Sequence, residues 1–117
     1  MKVPFNINLS GKTAIVTGGS GTLCSAMAYG LAVCGAKVAI IERNKEKLAS
    51  VSEKLTKDAL DEYNKNVTIK GYSCNVINKD ELSAAYETIK NELGSCDILI
   101  NGAGGNQPGA ITSIEML

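Results

Sequence analysis

Short, uninterrupted apolar runs alternate along this chain with longer stretches whose apolar positions recur every three or four residues. Thr13 to Thr17 carries no charge and reads as a strand buried on both faces. Leu23, Met27, Leu31 and Cys34 then recur at helical spacing, and Gly35 is placed to end that helix. Lys37 to Ile41 predicts a second strand. Asn44 stands as the N-cap of a charged helix with Leu48, Val51, Leu55 and Ala59 along one face. Val67 to Tyr72 predicts a third strand. Asn78 with Glu81 has the form of a capping box, opening a helix that buries Leu82, Tyr86, Ile89 and Leu93 and stops at Gly94. Asp97 to Ile100 predicts a fourth strand, and the rest of the chain is glycine-rich and weakly patterned.

Strands that alternate with helices imply right-handed βαβ units and a parallel sheet with helices on both faces. The expected class is α/β, a Rossmann-type doubly wound parallel sheet with strand order 3-2-1-4. That order is the N-terminal half of such a sheet. Its fourth strand is an apolar open edge that calls for a neighbour, so the chain reads as truncated. Residues 1–117 form one partial domain on this reading.

Composition narrows the function. The 12 basic and 12 acidic residues cancel, no basic stripe stands out, and aromatic residues make up only 4%. Nucleic-acid stacking and polybasic membrane binding therefore have little support. No signal peptide or membrane span is legible. The four cysteines, Cys24, Cys34, Cys74 and Cys96, form no close pair, and there is no histidine. Reduced thiols in a cytoplasmic protein fit this better than a disulfide framework or a metal site. The lack of histidine also removes Ser-His and Cys-His nucleophiles.

The strongest chemical signal is Thr17-Gly18-Gly19-Ser20-Gly21-Thr22-Leu23-Cys24, a glycine turn between a strand and a fresh helix. Unpaired amides and the helix dipole make that junction a phosphate cradle. Glu42 closes the second strand about twenty residues later, where a dinucleotide-binding domain keeps the carboxylate that accepts from the adenosine ribose. A carboxylate there repels a 2′-phosphate and favours NAD over NADP, whereas the guanidinium of Arg43 can grip such a phosphate. Gly11-Lys12-Thr13 is not a P-loop, because it precedes the strand. An S-adenosylmethionine-dependent methyltransferase shares the turn and the carboxylate and is the rival enzyme class.

The glycine turn, Glu42-Arg43-Asn44, Asn75-Val76 and Ile100-Asn101-Gly102-Ala103-Gly104-Gly105 together resemble the short-chain dehydrogenase/reductase family. The resemblance runs from about Leu9 to Pro108, in the family's order and spacing. Within the family the chain looks most like the D-mannonate oxidoreductase (fructuronate reductase) branch. The resemblance implies a nicotinamide dinucleotide cofactor and hydride transfer to or from a secondary alcohol or ketone, such as a sugar acid. It places Gly18, Ser20, Gly21, Thr22 and Leu23 around the pyrophosphate and adjoining ribose, and Asn75 and Val76 beside the adenine. Asn101, Ala103 and Gly104 would line the cofactor at the end of the fourth strand. It also implies a homo-oligomer when full length.

The chain departs from the family pattern at four positions. Thr22 and Cys24 stand where the turn carries glycine, Asn75 where many members have aspartate, and Gly102 where the second asparagine of Asn-Asn-Ala-Gly braces the central strands. The family's serine and Tyr-x-x-x-Lys pair are expected downstream of strand four, where the tyrosine is the general acid/base. Here only Tyr86 has a lysine four residues on, Lys90, and both sit within the third helix, read as a core aromatic and a solvated charge. No catalytic residue and no metal ligand is assigned. A chain of this kind is either the cofactor-binding part of an oxidoreductase, inactive alone, or a non-catalytic dinucleotide-binding module.

Overall fold

The computed structural model describes residues 7–102. Within them, strands β1 (Thr13–Thr17), β2 (Lys37–Glu42), β3 (Thr68–Ser73) and β4 (Ile98–Asn101) alternate with helices α1 (Thr22–Val33), α2 (Lys45–Tyr63) and α3 (Lys79–Glu92). All strand pairs are parallel, in the order β3-β2-β1-β4. This is the expected strand order, and the expected strands fall within one residue of their observed ends.

β1 is central and all five of its residues are buried. Its even positions, Ala14 and Val16, pack with Val38 and Ile40 of β2 under α1 and α2. Ile15 faces the other way and packs with Ala39, Ile41, Ile89 and Leu93 under α3. A strand covered on both faces has no use for polar alternation, which is why β1 reads as a continuous apolar run. Thr13 at its start and Thr17 at its end are its two buried polar residues. For Thr13 the bonds are internal to the fold: its Oγ1 donates to the Leu93 carbonyl at 2.9 Å, while its amide donates to Asp97 Oδ2 at 2.9 Å. These bonds tie the α3–β4 connection to the first strand.

The helix ends follow local chemistry. The Asn44 side chain accepts from the amides of Glu46 and Lys47, and that of Asn78 from Asp80 and Glu81. Glu81 does not complete a capping box; its Oε1 accepts from the Asn75 amide instead, at 3.5 Å. Gly35, at φ +109°, terminates α1 with Gly35 N donating to Ala32 O and Ala36 N to Leu31 O, the paired bonds of a Schellman motif.

Two packing expectations need correction. The buried residues of α1 are Cys24, Ala28, Tyr29, Ala32 and Val33, with Met27 and Leu31 partly buried against them, whereas Leu23, at the head of the apolar spacing, is 73% exposed. α1 is apolar all round, so spacing alone cannot choose its inner side, and small side chains win where a helix lies close to a sheet. Tyr86 is 41% exposed, not core, because it lines a trough beside β4.

Candidate functional site

The candidate site forms at the carboxyl ends of the parallel strands, where β1 turns into α1. Gly18 adopts φ +69°, a conformation that side-chain-bearing residues rarely take, and its amide donates to Ile41 O at 2.8 Å. The Gly21 amide then returns to Gly18 O at 3.1 Å and closes the turn. Gly19 is a packing residue that sequence reasoning missed: a Cβ there would overlap the Ile40 side chain.

The N-terminus of α1 differs from those of the other helices. Its N-cap is Gly21, which supplies no side-chain acceptor, whereas α2 and α3 each carry an asparagine bonded to two amides. Thr22 and Leu23 are exposed at this mouth. The uncapped first-turn amides and the positive end of the helix dipole together suit a phosphate-type anion.

Glu42 lies at the end of β2 beside the turn. Ser20 Oγ donates to Glu42 Oε2 at 2.9 Å, so the structure brings together two residues picked from separate motifs. The Glu42 main chain is held as well, since Cys74 N donates to its carbonyl at 3.1 Å. Arg43 is exposed next to it, and its carbonyl accepts from Ser73 Oγ at 3.0 Å. The Asn75 side chain is turned back on its own loop, where Oδ1 accepts from Ile77 N at 3.2 Å.

Across the sheet, Thr17 Oγ1 donates to Asn101 Oδ1 at 2.8 Å and Gly102 N to Thr17 O at 3.1 Å, joining the ends of β1 and β4. Thr17 opens the glycine-turn motif in the sequence, but its pairing with Asn101 was not foreseen there. Gly102 and Cys24 form a second unforeseen pair. A Cβ at Gly102 would overlap Cys24 Sγ and lie 3.0 Å from Thr17 O. The two departures from the family's glycine turn and Asn-Asn-Ala-Gly pattern therefore compensate: the side chain missing at 102 leaves the space that the thiol at 24 fills.

Thr17, Val76 and Asn101 also border a cavity of about 590 Å³ that runs along Ile15, Tyr86 and Leu99 on the α3 side of the sheet. It does not include the glycine turn or Glu42. Ala103 and Gly104 lie outside the described residues. Tyr86, which borders this cavity, and Lys90 both sit on α3. Among the described residues no helix is long and apolar enough to cross a membrane, and no cluster of three potential ligands could hold a metal ion.

The model of the family described as short chain dehydrogenase matches residues 12–116. The chain belongs to the short-chain dehydrogenase family. Among similar relatives of this short-chain dehydrogenase chain, the uncharacterised oxidoreductase UxuB of Bacillus subtilis is 45% identical over 113 residues, covering 97% of this chain and 38% of that protein. A candidate D-mannonate oxidoreductase from Haemophilus influenza, solved with bound NAD, is 37% identical with a TM-score of 0.72, covering 88% of this chain and 34% of that one. A metagenomic short-chain oxidoreductase solved with NADP is 30% identical with a TM-score of 0.72, covering 83% and 41%. The chain thus spans about two fifths or less of the length of each of these proteins.

Proposed function

We propose that this chain is the cofactor-binding part of a short-chain oxidoreductase that moves hydride between a nicotinamide dinucleotide and a secondary alcohol or ketone. The observation that carries the reading is the uncapped α1 N-terminus at the glycine turn, with the Glu42 carboxylate held beside it by Ser20. When bound, the nicotinamide supplies the hydride acceptor or donor. The chain's own residues bind and orient: the turn closed by Gly18 and Gly21 presents the first-turn amides of Thr22 and Leu23 to the pyrophosphate, and Glu42 accepts from the adenosine ribose. Asn75 and Val76 flank the adenine, and Asn101 with Ala103 and Gly104 lines the cofactor beyond β4.

NAD is the expected cofactor, because a carboxylate at the end of β2 repels a 2′-phosphate. The NAD-bound candidate D-mannonate oxidoreductase supports that preference, and a sugar acid as substrate class. On this reading the 117 residues bind cofactor without turnover, since they carry no serine and Tyr-x-x-x-Lys set beyond β4. Calorimetric titration of the chain with NAD, NADP and S-adenosylmethionine tests the proposal. Saturable binding of NAD is expected, and tighter binding of S-adenosylmethionine would refute the assignment.

A further inference from the structure

A serine hydroxyl has one hydrogen to donate. In this structure the hydrogen of Ser20 goes to Glu42 Oε2, at 2.9 Å, across the 22 residues that separate the glycine turn from the end of β2. The same hydrogen cannot also be given to a phosphate oxygen, so Ser20 and the uncapped amides of α1 are doing different jobs in the same turn. The amides address the anion. The serine addresses the carboxylate.

Both partners are half-buried, and both sit on short, firmly held backbone. Gly18 N and Gly21 N close the turn beneath Ser20, and Cys74 N holds the Glu42 carbonyl. Glu42 would otherwise swing into solvent on a flexible stem. The bond to Ser20 fixes its carboxylate toward the glycine turn and leaves Oε1 to accept from a ribose hydroxyl. It also keeps the negative charge in the space that a 2′-phosphate would enter. Arg43, exposed beside it, has a guanidinium that can grip that phosphate once the carboxylate moves away.

Resting on the nucleotide-binding reading above, we propose that Ser20 is a positioning residue that sets the preference for NAD over NADP by holding the Glu42 carboxylate against the glycine turn. It acts on the ribose end of the cofactor through Glu42, not on the pyrophosphate.

The test is calorimetric titration of the chain and of Ser20→Ala, Ser20→Thr, Glu42→Ala and Ser20→Ala/Glu42→Ala with NAD and NADP, each variant checked for unchanged far-UV circular dichroism. Ser20→Ala is expected to weaken NAD about tenfold, the loss of one charge-assisted hydrogen bond, and to leave NADP unchanged or tighter. Ser20→Thr, which keeps the hydroxyl, is expected to retain the preference, and Ser20→Ala is expected to add nothing once Glu42 is alanine. Equal weakening of both cofactors by Ser20→Ala would instead mark a phosphate contact and overturn the inference, as would a full effect in the Glu42→Ala background. If the unaltered chain binds NAD and Ser20→Ala binds it as tightly, the inference alone fails. If the unaltered chain binds neither dinucleotide, the nucleotide-binding reading fails and takes the inference with it.

Discussion

The fit between Cys24 and Gly102 can be tested by moving one methyl group. Gly102 has an ordinary backbone conformation, so alanine there meets only a steric objection, and that objection is the Cys24 thiol, which a new Cβ would overlap. The thiol cannot simply swing aside, because Cys24 is only 8% exposed and packs in the cluster that contains Ala14 and Val16. Gly102→Ala should therefore cost about 1–3 kcal/mol, the usual range for overpacking. In a Cys24→Ala background the nearest atom left at position 24 is Cβ at 3.6 Å, an ordinary contact, and only the Thr17 carbonyl at 3.0 Å remains tight. The same Gly102→Ala change should then cost at least about 1 kcal/mol less, since the clash with the thiol is the term that differs between the two backgrounds. Urea unfolding of the four chains, followed by far-UV circular dichroism, closes the cycle. Additivity within about 0.5 kcal/mol would show that residues 24 and 102 do not share this space and would refute the reasoning.

Three further outcomes are expected. Asn44→Ala and Asn78→Ala should each lower stability by about 1 kcal/mol, independently of one another, because each removes a cap bonded to two amides; urea midpoints measure this. Native-state labelling with a thiol reagent should modify Cys34 and Cys96 well before Cys24 and Cys74, since the latter two are buried and burial pushes the Cys74 thiol up; equal rates for all four would contradict the packing. Burial, then donation to Glu62, raises Tyr29 well above the ordinary phenol range, and burial with donation to Glu92 does the same for Tyr72. Below pH of about 10 both phenols are protonated folded and unfolded, so they leave stability level. Above it only the unfolded chain loses those protons, so stability should fall as pH rises, and Tyr29→Phe/Tyr72→Phe should flatten that fall in urea titrations.

What was legible in the sequence was mostly local. The strand boundaries, the asparagine caps and the Gly35 and Gly94 stops depend on residues within a few positions of one another, and the strand order follows from the alternation of strands and helices through the general handedness of βαβ units. The inner side of α1 was not legible, because Leu23, Met27 and Leu31 compete with Cys24, Ala28 and Ala32 on a helix apolar all round, and only the closeness of the sheet decides. The exposure of Tyr86 depends on how far neighbouring elements reach over β4. In the site, the glycine turn and Glu42 could be picked separately, but not the bond between Ser20 and Glu42, which rests on side-chain orientation across two strands. The Thr17–Asn101 bond joins residues 84 positions apart, and the complementarity of Cys24 with Gly102 is a matter of shape that no spacing rule encodes.

The strand order has a consequence in time. β1 is synthesised first, yet its β4-side edge is paired only by residues made 84 positions later. At a ribosomal pace of about 5–20 residues per second, that edge waits roughly 4–17 s while β2, α2, β3 and α3 emerge. Throughout the wait a charge-free run, Thr13 to Thr17, presents unpaired backbone to any other nascent strand nearby. The short β4 is thus a closing stitch whose arrival is set by decoding speed. Synonymous codon changes that slow translation between α2 and β4 would lengthen the exposure and raise co-translational aggregation without altering one residue of the folded protein.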